Sequence, residues 1–215
     1  MKIALSIIAV FLFFATAGAQ TRTISEIEFD KPLRFAGPQT IKAYPLIYKQ
    51  TITFIKNGKT VRAITEVREH ESAEYERIKT TDLIDDRETS RYQIKVGYGN
   101  VFCSEDGARW KPSKNECSRA SIYLPGMLAE SVEYSVTEKF VDGKKVMVYR
   151  KYSVIPAVED EPKTFEERTF TIDSRGYLLS IIDTYGTLDP RTVTLTREQS
   201  WITQARIEPV TAPIK

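Results

Sequence analysis

The residues that could perform chemistry in this chain are few, and their surroundings do not favour catalysis. His70 is the only histidine and lies in the run Glu69-His70-Glu71, at the charged end of an alternating segment. A nucleophilic triad needs a base beside a serine or cysteine, and no Gly-x-Ser-x-Gly turn is present to expose a serine. We therefore interpret His70 as a surface side chain. An enzyme would require a cleft that brings carboxylates around it.

Acidic residues are abundant, but their spacing matches no known site chemistry. They cluster at Asp85-Asp86 and Glu159-Asp160-Glu161. Glycosidases need two carboxyl groups that face each other across a cleft, and calcium loops alternate acidic ligands with other residues. There is also no glycine-rich phosphate loop. The sequence predicts solvated acidic loops, no catalytic residue, no metal site and no cofactor, and hence a protein that is not an enzyme.

The composition excludes several classes of protein. Of the 215 residues, 41% are hydrophobic and 28% are charged, which is typical of a folded chain. The 31 basic and 29 acidic side chains leave a formal net charge of +2, so no nucleic-acid partner is expected. Two cysteines and one histidine are too few for a four-ligand zinc site. The length suits one domain with a sizeable core.

Residues 1–19 have the pattern of a secretory signal peptide. An apolar run over Ile3–Phe14 follows Lys2, and Ala17-Gly18-Ala19 supplies the small residues that signal peptidase accepts. We expect cleavage before Gln20, export to the periplasm or the exterior of a bacterial cell, and no stable membrane anchor afterwards. The alternative is an uncleaved anchor, for which Ile3–Ala19 has only 17 residues, at the lower limit of a bilayer span.

Expected export makes a disulfide bond between the two cysteines plausible, because disulfides persist in oxidising compartments. A bridge between Cys103 and Cys117 would close a loop of 15 residues in an oxidising compartment. Ser104–Glu116 is rich in Lys, Pro, Asn, Asp and Gly, which predicts an exposed excursion between strands. The alternative is a redox dithiol, which usually has the closer Cys-x-x-Cys spacing that is absent here. The sequence therefore favours a structural disulfide.

A period of two dominates the rest of the chain. Apolar and polar residues alternate over Arg91–Tyr98, Val132–Thr137 and Tyr177–Ile181, which predicts strands with one wet and one buried face. Asn57-Gly58 and Asp142-Gly143 supply the positive φ of tight hairpins. We predict about eight to ten strands, paired mainly with their neighbours along the chain.

Helical signals are weak. Thr21–Pro38 shows no clear period, Gln39–Tyr48 could hold a short helix, and Ser121–Glu130 has a partly helical spacing. We divide the chain into the signal peptide, a partly irregular N-terminal segment over residues 20–50, a sheet domain over residues 51–207, and a tail over residues 208–215.

The sheet segments resemble a bacterial superfamily. Arg91–Phe102 followed by Asp106–Lys111 gives an alternating strand, a turn, a second strand, Asp-Gly and a Trp-Lys end. Phe140–Tyr149 resembles a later hairpin, and Thr169–Ile181 resembles a unit of strand, Asp, Gly and strand. In this order the motifs are similar to those of the LolA-like lipoprotein carriers, over about Thr51–Ile207.

The resemblance implies a mainly β fold, in which one antiparallel sheet curls into an incomplete barrel with a few short helices on its concave side. It also implies an exported, non-enzymatic protein that binds an apolar or amphipathic ligand, with a lipid or an acylated protein as partner. We predict that the following residues line the cavity: Phe54, Tyr98, Trp110, Leu124, Met127, Leu128, Tyr134 and Leu179.

A second hypothesis comes from another class of protein. If the same side chains form a packed core, the chain is a cell-envelope interaction or assembly module, because open sheet edges can accept a partner strand. The sequence leaves the oligomeric state open.

Overall fold

The computed structural model describes residues 20–115, 117, 128–157 and 162–213. The predicted signal peptide lies outside the described residues, as does most of Ser121–Glu130. Within them the chain forms one helix and twelve strands. In chain order these are β1 (Thr21–Thr23), α1 (Glu26–Ile41), β2 (Leu46–Lys56), β3 (Lys59–His70), β4 (Tyr75–Ile84), β5 (Arg87–Val96), β6 (Asn100–Ser104), β7 (Lys111–Ser113), β8 (Ser131–Val141), β9 (Lys144–Ile155), β10 (Thr164–Asp173), β11 (Leu178–Leu188) and β12 (Arg191–Thr203).

All twelve strands belong to one antiparallel sheet. Its order is β1-β8-β9-β10-β11-β12-β2-β3-β4-β5-β6-β7. Most pairs join strands that follow each other along the chain, while β12 pairs with β2 and links the two halves. The edges β1 and β7 do not pair with each other, so the sheet is open. This confirms the prediction of a mainly β protein with a single antiparallel sheet, consistent with a half-barrel.

The predicted hairpin turns are confirmed. Asn57 and Gly58 have φ of 53° and 71° between β2 and β3, and Asp142 and Gly143 have φ of 50° and 72° between β8 and β9. Positive φ at both central residues matches the twist of paired strands. The Asp85-Asp86 pair, predicted only as part of a solvated acidic loop, has the same conformation and joins β4 to β5.

The helix near the N-terminus does not lie at Gln39–Tyr48, the segment that could hold a short one. It occupies Glu26–Ile41, mostly within the segment Thr21–Pro38 that shows no clear period, and β2 already begins at Leu46. Its start is fixed locally by a capping box: Glu28 N–H donates to Ser25 Oγ at 3.3 Å, and Ser25 N–H donates to Glu28 Oε2 at 2.9 Å. The hydrogen bond from Ser25 N–H, followed by that from the Arg22 side chain, holds the pKa of the Glu28 carboxyl below its usual value.

The helix lacked a periodic signal because its outer surface is also apolar. Ile27, Phe35 and Ile41 are exposed, while Phe29 and Ala36 are buried against the sheet. Apolar side chains therefore occur around most of the helix, and the contrast between a wet and a dry face that pattern analysis needs is weak.

The core lies between α1 and strands β8 to β11. Phe29 packs edge-on against Phe170 with ring centroids 4.9 Å apart, and Phe170 stacks on Tyr149 at 4.8 Å. Leu178 is buried in the same cluster, and its N–H donates to Thr40 Oγ1 of the helix at 2.8 Å. The helix is thus joined to the sheet by aromatic packing and by one buried hydrogen bond.

Three bulges interrupt the strict alternation predicted for the sheet, and in one of them, between β2 and β3, Val61 is the extra residue. Between β10 and β11, Thr171 pairs with Ser180 but Ile172 pairs with Leu178, so Leu179 is the extra residue of β11. Near the other end of β11 the register shifts again, between Tyr185 and Gly186.

Gly186 is required at its position by close packing. A Cβ atom there would collide with the carbonyl oxygen of Thr192 and would lie 2.8 Å from Cε1 of Phe165. Phe165, on the sheet face away from α1, is buried at this point. The absence of a side chain on Gly186 therefore leaves the space into which this ring and strand β12 fit.

The described part of the C-terminal tail packs against β3 and β4. Val210 is buried, and its N–H donates to Glu71 Oε2 at 2.8 Å. Arg77 Nη2 donates to the Pro209 carbonyl at 3.5 Å. The last residues of this part are therefore held to the sheet.

Candidate ligand-binding face

The candidate site lies on the sheet face that α1 covers in part, which we call the helix face. Among the described residues, the helix packs mainly against β8 to β11. On β10, Phe170 and Ile172 point toward the helix, so Arg168, two residues earlier, lies on the same face. The register then places the helix-face residues of the other strands.

A line of charged residues crosses the helix face beside the apolar cluster. Arg168 is paired with Lys151 of β9 on one side and with Asp183 of β11 on the other, and Asp183 is paired with Arg197 of β12. We call these four residues the cationic row. They occupy adjacent strands, which lie about 4.8 Å apart in a sheet.

Asp183 is the centre of the cationic row. Its side chain is fully buried, Oδ1 accepts from Arg168 Nε at 2.6 Å, and Oδ2 accepts from Arg197 Nε at 2.9 Å and Nη2 at 2.6 Å. The side chains of Arg168 and Arg197 are 35% and 22% exposed. Both guanidinium groups are therefore fixed by a buried carboxylate and still reach solvent.

Tyr185 borders the cationic row. Its hydroxyl donates to Glu166 Oε1 at 3.3 Å, and burial followed by the nearby carboxylates Asp183 and Glu166 raises the pKa of Tyr185 to about 12. The phenol is therefore a neutral hydrogen-bond donor at physiological pH.

A second polar cluster occupies the helix face on β3 and β4. Arg68 Nε lies 2.7 Å from Glu66 Oε1, and Arg68 Nη1 lies 3.4 Å from Glu76 Oε1. His70 Nε2 lies 3.3 Å from the same Glu76 oxygen. The His70 side chain is only 23% exposed, so its interpretation as a surface histidine was wrong. Burial lowers the pKa of His70, although Glu76 opposes that shift.

Amide and phenol groups join the two halves of the sheet on this face. Gln199 Nε2 of β12 donates to Tyr48 Oη at 2.8 Å and to Gln50 Oε1 at 3.0 Å, both on β2. The Tyr48 ring also lies 5.4 Å from Trp201, which packs against the apolar cluster. The helix face thus changes from apolar to polar across β11 and β12.

Three of the predicted cavity residues lie in or beside the sheet near this face. Phe54 is half-buried and paired with Leu195 of β12. Tyr134 packs against the apolar cluster, with its ring 5.2 Å from Phe29. Leu179 is the half-buried extra residue of the β11 bulge.

Of the other five predicted cavity residues, the structure describes three. Trp110 is half-buried, and its indole N–H donates to the Gly107 carbonyl at 3.1 Å. Tyr98 is 87% exposed and Leu128 is 94% exposed. Leu124 and Met127 lie outside the described residues. The eight residues as a ligand-binding set stay a prediction.

The sequence reasoning missed the charged residues of the helix face. A signal was present in the sequence. Glu66, Arg68 and His70 are spaced two residues apart in one strand, and Arg168 is two residues from Phe170, so each set lies on one face of its strand. Charged residues on the buried face of a strand are unusual, because a buried charge must be paired. Attention to these positions would have indicated a polar interior.

The predicted disulfide is confirmed. Cys103 and Cys117 are bonded, with Cα atoms 5.9 Å apart, and Cys117 N–H donates to the buried Gln93 Oε1 at 2.8 Å. Asp106 orders the enclosed loop by accepting from two backbone N–H groups, which lowers its pKa. A cavity of about 460 Å³ lies beside the bond. It is lined by Arg91, Cys103, Ser104, Glu105, Asp106, Arg109, Lys111 and Cys117.

Among the described residues, no three His, Cys, Asp or Glu side chains are grouped closely enough to hold a metal ion. The helix in this part of the chain is not long and apolar enough to cross a membrane.

Comparison with known proteins gives one distant similarity. No protein-family model matches the chain, and no curated protein matches it. It is similar at 12% identity to the crystal structure of a Vibrio parahaemolyticus domain that is named for outer membrane lipoprotein sorting. The match covers 83% of this chain and 94% of that domain, with a TM-score of 0.27. A likeness this weak carries no argument about function.

Proposed function

We propose that this chain is an exported, non-enzymatic protein that binds an amphipathic ligand, such as a lipid or the acyl chain of a lipoprotein, on the helix face. One observation carries the proposal: α1 covers the apolar cluster on β8 to β11, whereas the half-buried polar residues on β12 and β2 to β4 lie beyond its main contacts. A sheet face on which an apolar cluster adjoins half-buried polar side chains suits a ligand with both kinds of surface.

Apolar side chains also lie directly beside the charged groups. Ile52 of β2 is paired with Arg197, and Leu195 is paired with Phe54. Ile52 and Leu195 are buried and Phe54 is half-buried. An acyl chain could follow these residues while its polar end reaches the cationic row.

The disulfide supports export, because such bonds persist in oxidising compartments. A bacterial periplasm or the cell exterior is the compartment that we propose.

Native mass spectrometry tests the proposal directly. The mature protein is purified from the periplasm without detergent, and bound molecules are extracted and identified. We expect a stoichiometric lipid adduct. An apo mass, together with tryptophan fluorescence that does not respond to fatty acid or lysolipid, would contradict the proposal.

A matched pair of variants locates the ligand. Phe54→Ser removes an aromatic ring from the helix face and should reduce the adduct. Phe140→Ser removes a ring that is 60% exposed at the end of β8 and should leave the adduct unchanged. Equal adducts in the two variants would place the ligand elsewhere.

One observation favours the alternative of an envelope interaction module. β8 has 11 residues, but β1 pairs with only three of them, Ser135 to Thr137. Val132, Phe140 and Val141 are exposed on this strand. Unpaired strand edges are templates for a partner strand. A photo-crosslinker at Phe140 in intact cells should give discrete protein adducts under this alternative and none under the lipid-binding proposal.

A further inference from the structure

We propose that the cationic row, Lys151, Arg168, Asp183 and Arg197, binds the oxyanion head group of the amphipathic ligand, a carboxylate or a phosphate. This inference rests on the proposed function and specifies the chemical class of the ligand.

The first argument is an unbalanced charge. Lys151 and Arg168 are direct cross-strand partners, and like charges placed opposite each other destabilise a sheet. In the part of the chain that the structure describes, no carboxylate forms an ion pair with Lys151. The carboxylates next to the cationic row are Asp183, which binds both arginines, and Glu166, which accepts from Tyr185.

The charges of neighbouring elements do not remove this imbalance. The three cations of the cationic row face two carboxylates, Asp183 and Glu166. On α1, Asp30 is 3.7 Å from Arg34, and Glu26 acts on the Tyr134 hydroxyl. Glu66 and Glu76 of the second polar cluster lie farther away, on β3 and β4, and both bind Arg68. Among the described residues next to the cationic row, one positive charge is left over at a half-buried position, where an anion would be attracted more strongly than at an exposed one.

The second argument is the fixed orientation of the donors. A guanidinium group has five N–H donors. Asp183 engages Nε of Arg168, and Nε and Nη2 of Arg197. The remaining N–H groups of two partly exposed arginines are held in place by a buried anchor. Planar forks of this kind bind carboxylate and phosphate oxygens with two hydrogen bonds.

The third argument is the position of the apolar residues. Ile52 is the cross-strand partner of Arg197, and Leu195 is two residues from Arg197 along β12. A head group on the arginines therefore places the first part of an acyl chain over buried aliphatic side chains.

The test uses three amphiphiles that share a dodecyl chain and differ in head group: laurate, dodecyl phosphate and dodecyltrimethylammonium. Dissociation constants are measured below micelle-forming concentrations with delipidated mature protein. We expect the two anions to bind at least about tenfold more tightly than the cation, because tenfold corresponds to about 1.4 kcal/mol and one hydrogen bond to a charged group contributes at least that much. The ratio of laurate to dodecyl phosphate affinity shows which oxyanion is preferred.

Lys151→Gln is the decisive variant, because it does not touch the buried Asp183. It should weaken the binding of laurate and of dodecyl phosphate about tenfold and leave the affinity for dodecyltrimethylammonium unchanged. Lys49→Gln is the matched control, since Lys49 is exposed on the opposite face of the sheet. Arg168→Gln should have a larger effect on the anions, and it is interpreted only where circular dichroism shows a native fold.

The outcomes separate the two proposals. If all three amphiphiles bind equally and Lys151→Gln changes none of them, the head-group assignment is overturned while the proposed function stands. If no amphiphile binds, the proposed function fails and this inference fails with it. Selective anion binding that Lys151→Gln abolishes and Lys49→Gln preserves supports both.

Discussion

Asp183→Asn is expected to destabilise the protein strongly. The change keeps the size of the side chain but removes the negative charge that faces Arg168 and Arg197. Removing one partner of a buried ion pair costs about 3–5 kcal/mol, because the remaining charge stays desolvated. The two arginines are partly exposed, so we expect the lower limit of about 3 kcal/mol.

The assay is reversible denaturant unfolding, with a thermal melt as a second measurement. For a domain of this size, a loss of about 3 kcal/mol lowers Tm by about 6–12 °C. Asp82→Asn is the matched control, because Asp82 binds Arg62 through two hydrogen bonds at a more exposed site. Exposed pairs contribute about 0–1 kcal/mol. The reasoning is refuted if the free energies of unfolding of Asp183→Asn and Asp82→Asn differ by less than about 1 kcal/mol, which is the range that exposed ion pairs contribute.

Three further predictions concern the fold. Replacing both Cys103 and Cys117 with serine should lower the free energy of unfolding by about 3 kcal/mol, as expected for a 15-residue loop, and a reductant should then have no further effect. Gly186→Ala should lower the free energy of unfolding by more than about 3 kcal/mol, or abolish folding, because the new Cβ would collide with the backbone of Thr192. Gly37→Ala, at an open position on the helix, should raise that free energy by up to about 1 kcal/mol. Thermal melts of the two variants test both expectations. Burial lowers the pKa of His70 in the folded state, so as pH falls the unfolded chain binds the proton first. The free energy of unfolding should therefore decrease as pH drops below about 6.5. In urea titrations, His70→Gln should make this decrease smaller.

Much of the sheet could be predicted from local sequence. A strand with one wet and one buried face alternates in polarity, and Asn57-Gly58 and Asp142-Gly143 favour the backbone angles of a tight hairpin. The disulfide followed from the only two cysteines in a chain whose first residues predict export. Each of these inferences depends on a few neighbouring residues.

The position of α1 was harder to predict. Its capping box at Ser25 and Glu28 was readable, but two prolines and the exposed Ile27 and Phe35 concealed the periodicity. The helix is held by packing on Phe170 and by the hydrogen bond of Thr40 to Leu178, contacts between residues far apart in sequence.

The sequence by itself determined a mainly antiparallel sheet and a single cross-link, because alternation, turn residues and cysteines act over short stretches of chain. Only the tertiary structure decided that the cationic row exists. Its members come from four strands, and their alignment depends on strand register, which a bulge such as that at Leu179 shifts by one residue and so turns side chains to the other face. No local pattern reports which charges a sheet will bring side by side.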